Sequence, residues 1–164
     1  MTKVERTQKI EAYGRAYDQL KAALEELPKE MWHFKATPES WSVHETAVHI
    51  TDSEANSFIR CRRFIAEPGT TVMAYDEEAW ANALRYRERS VEDALELFRC
   101  LRQATYKLIQ KLPESVWSNT VFHPENGVMT LDDWLDVYAN HIPEHVSQMK
   151  QNYDQWQKQV SGDE

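Results

Sequence analysis

Glycine and proline are scarce in this chain: 4 and 6 residues in 164. That scarcity argues for helices over sheets. The long stretches are instead rich in Leu, Ala, Glu, Gln, Lys and Arg, the residues that favour helices. No basic stripe is present. With 19 basic against 27 acidic residues and a formal charge of −8, a phosphate-backbone partner is repelled at long range, so no nucleic acid is expected as a ligand. No apolar run approaches membrane-spanning length, and the first residues, MTKVERTQKIEAYGR, lack the apolar core of a signal peptide. The chain therefore reads as a soluble cytoplasmic protein with no membrane partner. The two cysteines, Cys61 and Cys100, have no nearby cysteine in sequence, and the economical reading is two free thiols in a reducing compartment.

What is present is helical periodicity. Ile10, Tyr13, Tyr17, Leu20, Leu24 and Leu27 form an apolar stripe over residues 4–27 that stops before Pro28. After an irregular segment to Ser40, Ser42 and Glu45 make a capping-box pattern for a helix to about Ala66. Pro68-Gly69 opens a linker, and Asp76 caps a short helix through Arg85. Ser90 and Asp93 start another long helix, with Val91, Ala94, Leu97, Phe98, Leu101, Leu108 and Leu112 as its stripe. Asn126-Gly127 marks a tight turn, the tip of a small hairpin, before Thr130 and Asp133 cap the last helix. The expectation is an all-α fold, a four-helix bundle with an additional short helix. Residues 1–160 are expected to form a single domain, fading after Trp156 into a polar C-terminal tail at 161–164.

An internal echo runs through this order. Leu27-Pro28-Lys29-Glu30-Met31-Trp32 resembles Leu112-Pro113-Glu114-Ser115-Val116-Trp117, and each precedes a loop and a capped helix. Each half reads as one antiparallel helix pair. The echo places His49 and His141 in corresponding parts of the two capped helices, about one turn out of step.

His141 and His145 lie four residues apart, so they stack on one helix face. Two imidazoles so placed can both reach one cation at about 2.0–2.1 Å, and His49 is the candidate third ligand. Such a site leaves a coordination position open for chemistry. Alone, His49 would read as a core histidine and the pair as a face that happens to repeat. His44 lies roughly 140° around the helix from His49 and is expected at the surface, as is His33. His123 sits in a loop and is not expected at the site's mouth. Pro143, between the paired histidines, removes a backbone donor and suggests a kink. His141-Ile142-Pro143-Glu144-His145 also matches the H-x-x-E-H pattern of inverzincin peptidases, but after His145 the carboxylates are few and late, so that reading is set aside and Glu144 is expected to face solvent. Asp52, Glu45 and Asn140 are candidates to orient a ligand histidine, with Glu45 last because the cap employs it. Trp32, Trp41, Trp117 and Trp134 are expected to close the bundle ends, and Tyr75 and Trp80 to line a pocket over the site.

These residues resemble the DinB-like, YfiT-related superfamily of metal-binding four-helix bundles. The matching segments are Trp41-Ser42-x-x-Glu45-x-x-x-His49 with Asp52-Ser53-Glu54, and His141-x-x-x-His145-x-x-Gln148 preceded by Thr130-x-x-Asp133-Trp134. The resemblance implies that His49, His141 and His145 bind a divalent metal such as zinc or nickel, and that homodimers are common. It implies two enzymatic readings, of which the thiol transfer given first is preferred and the hydrolysis is the alternative. One is an S-transferase adding a low-molecular-weight thiol, of the bacillithiol or glutathione type, to a small-molecule electrophile. The other is a metal-dependent hydrolase. A bundle in which metal or dimerisation serves only stability is the third reading.

Overall fold

The computed structural model describes residues 1–162. Helix α1, Lys3–Glu26, starts at a capping box in which the Thr2 hydroxyl accepts from the Glu5 amide and Glu5 reaches back to the Thr2 amide. Helix α2, Val43–Ala66, begins at the Ser42–Glu45 box that the sequence announces. The short α3, Glu77–Ala83, is capped by Asp76 and closes before Arg85, whose φ of 53° cannot continue a right-handed helix. Helix α4, Val91–Ile109, starts at Ser90, and α5, Leu131–Gly162, starts at Thr130 and Asp133.

Between α4 and α5 the strands β1, Thr120–His123, and β2, Gly127–Thr130, pair antiparallel. Gly127 holds a φ of 73°, which a glycine adopts without strain. The linker after α2 adds to this hairpin, since the Val72 amide donates to the Phe122 carbonyl and the Phe122 amide to the Thr70 carbonyl. The expected linker is thus partly a third strand. Its signal in the sequence is weak because the pairing is short and non-local.

The bundle differs from two stacked hairpins. Helix α1 packs most broadly on α5 and α2 on α4, with further contact of α1 with α4 and of α2 with α5. The two long helices of each half, α1 with α2 and α4 with α5, therefore sit across the bundle from each other, and the expected pairing within each half is corrected. Each connection, 27–42 and 110–130, is long enough to cross the bundle end instead of turning straight back. This topology matters for the site, because it sets α2 beside α5.

Two other expectations shift. Helix α5 continues through Pro143 and past Trp156 to Gly162, so residues 157–162 are helical; residues 163–164 of the expected tail lie outside the described residues. On α4 the buried face is Val91, Phe98, Arg102, Thr105 and Ile109, while Leu97 is half exposed. An arginine in that face is stabilised by a partner, described below, which periodicity cannot foresee. Cys61 is buried, Cys100 is exposed, and both are free thiols. No described helix is long and apolar enough to cross a membrane.

Candidate metal centre

His49 sits in the second turn of α2, where its neighbours Ala47, Val48 and Ile50 are all buried, and its own side chain is 1 % exposed. From the adjacent α5, His141 and His145 project to the same point. Their Nε2 atoms are 3.0 Å apart, and the His49 ring centroid lies 5.9 Å from that of His141 and 5.1 Å from that of His145. One ring nitrogen from each of the three lies within 4.8 Å of the others. Two nitrogens bound at about 2.0–2.1 Å in a tetrahedral site stand about 3.3 Å apart, so the His141–His145 approach is close to what a shared cation requires.

The protonation states fit a ligand role. Burial, followed by the neighbouring His145, pushes the His49 imidazole down to about 3. Burial also drives His141 well below its ordinary value, with His145, His49 and Arg102 adding to it. His145 is lowered by burial too, against the pull of its hydrogen bond to Gln148. All three are neutral at pH 7, the form in which imidazole binds a metal.

A hydrogen bond one turn further along α5 assigns the tautomer of His145. Its Nδ1–H donates to Gln148 Oε1 at 2.9 Å, leaving a lone pair on Nε2. The Nε2···Nε2 approach to His141 is then one that a shared cation or a single proton satisfies. His49 Nδ1 is buried without a hydrogen-bond partner. Orphaned buried nitrogen and convergent neutral rings together suit a cation.

Around the cluster, the Trp41 ring meets His49 edge-on at 4.5 Å between centroids, held by an indole N–H donated to Glu78. Glu77, first residue of α3, brings Oε2 to 3.9 Å from His49 Nε2. Partial burial and the nearby Glu125 raise its carboxyl above the usual range. Ser53 Oγ lies 3.5 Å from His141 Nε2. Tyr75 lines a cavity with Glu77 and packs against Trp80 at 4.5 Å between ring centroids, while Trp80 lines a separate cavity with Ile59 and Arg60, so the two do not share one pocket over the histidines.

Several anticipated helpers are engaged elsewhere. Asp52 accepts from Tyr86 at 2.7 Å, Glu45 serves the cap, and Asn140 donates to the Asp136 carbonyl within its own helix. His123 is buried in the hairpin, where its Nδ1 accepts from the Glu125 amide. His33 and His44 stack on each other at 4.5 Å, away from the three. Glu144 is exposed.

Beneath the cluster lies a group that helical patterning misses. Tyr13 donates to Glu54 Oε1 at 2.5 Å, and Arg102 Nη2 stands 2.8 Å from Glu54 Oε2, off the angle of a good hydrogen bond. Arg102 also donates to the Tyr138 carbonyl, one turn before His141, and lies over the Tyr13 ring. Both ionic side chains are 1 % exposed. The only signal available was Glu54 trailing the His49 segment and an arginine interrupting an apolar stripe.

One comparison with known proteins spans these segments. The family model described as the DinB superfamily matches residues 12–149, which include all three histidines. The chain belongs to the DinB superfamily. Its relatives in that setting include a protein of Oceanobacillus iheyensis, 29 % identical over 65 % of this chain and 62 % of its own length, and one of Halalkalibacterium halodurans, 27 % identical over 68 % and 65 %. Both carry the name "putative metal-dependent hydrolase". The chain thus matches slightly less than two thirds of the length of these relatives. Among solved structures, YfiT from Bacillus subtilis aligns with a TM-score of 0.86 at 21 % identity, over 99 % of this chain and 90 % of that one, and is described as "a probable metal-dependent hydrolase with an unusual four-helix bundle topology". The likeness shows the four-helix bundle fold.

Proposed function

We propose that the chain is a metal-dependent hydrolase with His49, His141 and His145 as ligands of a divalent cation such as zinc or nickel. The observation that carries this reading is the convergence of three neutral ring nitrogens within 4.8 Å. When bound, the cation supplies Lewis acidity and lowers the pKa of a water at its open position. The protein's own part is to hold the rings and to handle the proton. Gln148 fixes His145 through Nδ1, Trp41 and burial shield His49 from bulk water, and Glu77 Oε2 accepts the proton released beside His49. Glu77 is the one carboxylate within 4.0 Å of a cluster nitrogen among the described residues.

Transfer of a low-molecular-weight thiol would use the same open position. Thiols of the glutathione or bacillithiol type carry carboxylates, however, and the cavity lined by Trp41 and Gln148 and the one lined by Tyr75 and Glu77 contain no lysine or arginine among their lining residues. Hydrolysis is therefore the better fit. Zinc- or nickel-loaded protein assayed against esters, amides and lactones without thiol should turn over at least one class. Glu77→Gln should lower kcat by about 10²–10⁴ while the metal content stays unchanged. Loaded protein that hydrolyses nothing, yet conjugates a cellular thiol to an electrophile, would replace this reading with the transferase.

A further inference from the structure

Beside the cluster runs a groove of about 430 Å³ between the segment before α2 and the second half of α5. Two of its lining residues also touch the ligand histidines: Trp41 packs on His49, and Gln148 accepts from His145. The α5 wall is a run of carboxamides, Gln148, Gln151, Asn152 and Gln155, whose spacing puts them on one helix face. Few of their hydrogen-bonding groups are committed to other side chains or to the backbone. Among the described residues the Gln151 and Gln155 side chains make no hydrogen bond, Gln148 uses only its oxygen, and Asn152 donates to the Phe34 carbonyl and keeps its oxygen. Glu39 is the sole charged residue in the lining.

Such a wall offers paired donors and acceptors without net positive charge, in a groove that Trp41 also lines. It complements a neutral ligand that itself carries both a donor and an acceptor beside an apolar portion. A carboxylate gains no cation there and meets Glu39. Carboxamides recognise amides by reciprocal N–H and C=O bonds, and the Trp41 ring supplies apolar area.

We propose that this groove binds the neutral, amide-bearing part of the substrate and delivers its reacting bond to the three-histidine cluster. The assignment rests on the cluster being the reaction centre. Gln148 joins the two, so ligand and metal binding are linked: whatever one does to the affinity of the other is reciprocated.

The test is a titration of N-acetylphenylalaninamide into zinc-loaded and metal-free protein, followed by tryptophan fluorescence and heteronuclear chemical shifts, with N-acetylphenylalanine as the charged counterpart. Saturable binding of the amide is expected, with shifts confined to Trp41 and the α5 carboxamides. The carboxylate should bind at least about tenfold more weakly, and Gln151→Ala combined with Gln155→Ala should weaken the amide by about tenfold through the loss of two hydrogen bonds. Both glutamines are exposed, so the double variant should fold. Absence of saturable binding, equal affinity for the carboxylate, or no effect of the double variant would overturn the groove assignment while zinc binding stands. Failure of the wild type to bind zinc would overturn the reading on which the groove depends.

Discussion

Removing one exposed amide should measurably weaken the metal site. Gln148 Oε1 is the partner of His145 Nδ1, at 2.9 Å. Without it, His145 can exchange tautomers and rotate, and the Nε2 lone pair is no longer held toward His141. Outer partners of metal-bound imidazoles are worth about 10- to 100-fold in affinity, or about 1.4–2.8 kcal/mol. The side chain is exposed and alanine is the best helix former, so Gln148→Ala should leave the fold intact and slightly favour α5. Competition with a chromophoric chelator at pH 7 reads the zinc affinity, and far-ultraviolet dichroism confirms the helix content. A drop within that range, with unchanged dichroism, is the expected result. An affinity equal to wild type would refute the reasoning that the hydrogen bond assigns the His145 tautomer.

Other perturbations separate the parts of the structure. Glu54→Gln leaves Arg102 charged and buried without its counter-ion and should cost about 3–5 kcal/mol in urea unfolding; a cost below about 1 kcal/mol would mean that the ion pair is dispensable. Gly14→Ala places a methyl 2.6 Å from the Tyr106 ring and should cost about 1–3 kcal/mol, read from the same curves. The metal-free protein should lose stability as pH falls from 6.5 toward 3. His49 stays neutral in the fold down to about 3, whereas the unfolded chain takes up its proton near 6.5, so the unfolded state binds more protons across that window. Flat stability over this range in a chemical-denaturation series would contradict the buried, neutral His49.

The sequence made the helices legible because each long one carries its own punctuation. Ser42–Glu45 and Thr130–Asp133 cap helices where expected, and proline follows the close of α1. The three histidines were legible because a four-residue spacing on one helix is a local fact, and the echo between the halves supplied the third. What was not legible is non-local. The diagonal order of the helices depends on how the two crossings traverse the bundle ends, and no residue pattern within a helix encodes that. The Tyr13–Glu54–Arg102 group joins three helices and looks in sequence like polar residues misplaced in apolar stripes. Glu77 was invisible for a related reason: only the fold of the 67–76 linker onto β1 brings α3 over His49. Gln148 was present in the motif but had no assigned task until its distance to His145 was known.

The most direct measurement is the metal content of untagged protein by inductively coupled plasma mass spectrometry, wild type against His145→Ala, after incubation with zinc or nickel and desalting. The account predicts about one divalent ion per chain in the wild type, as three-nitrogen sites hold a single cation, and its loss in the variant. No bound metal in either protein, or full retention in the variant, would contradict it.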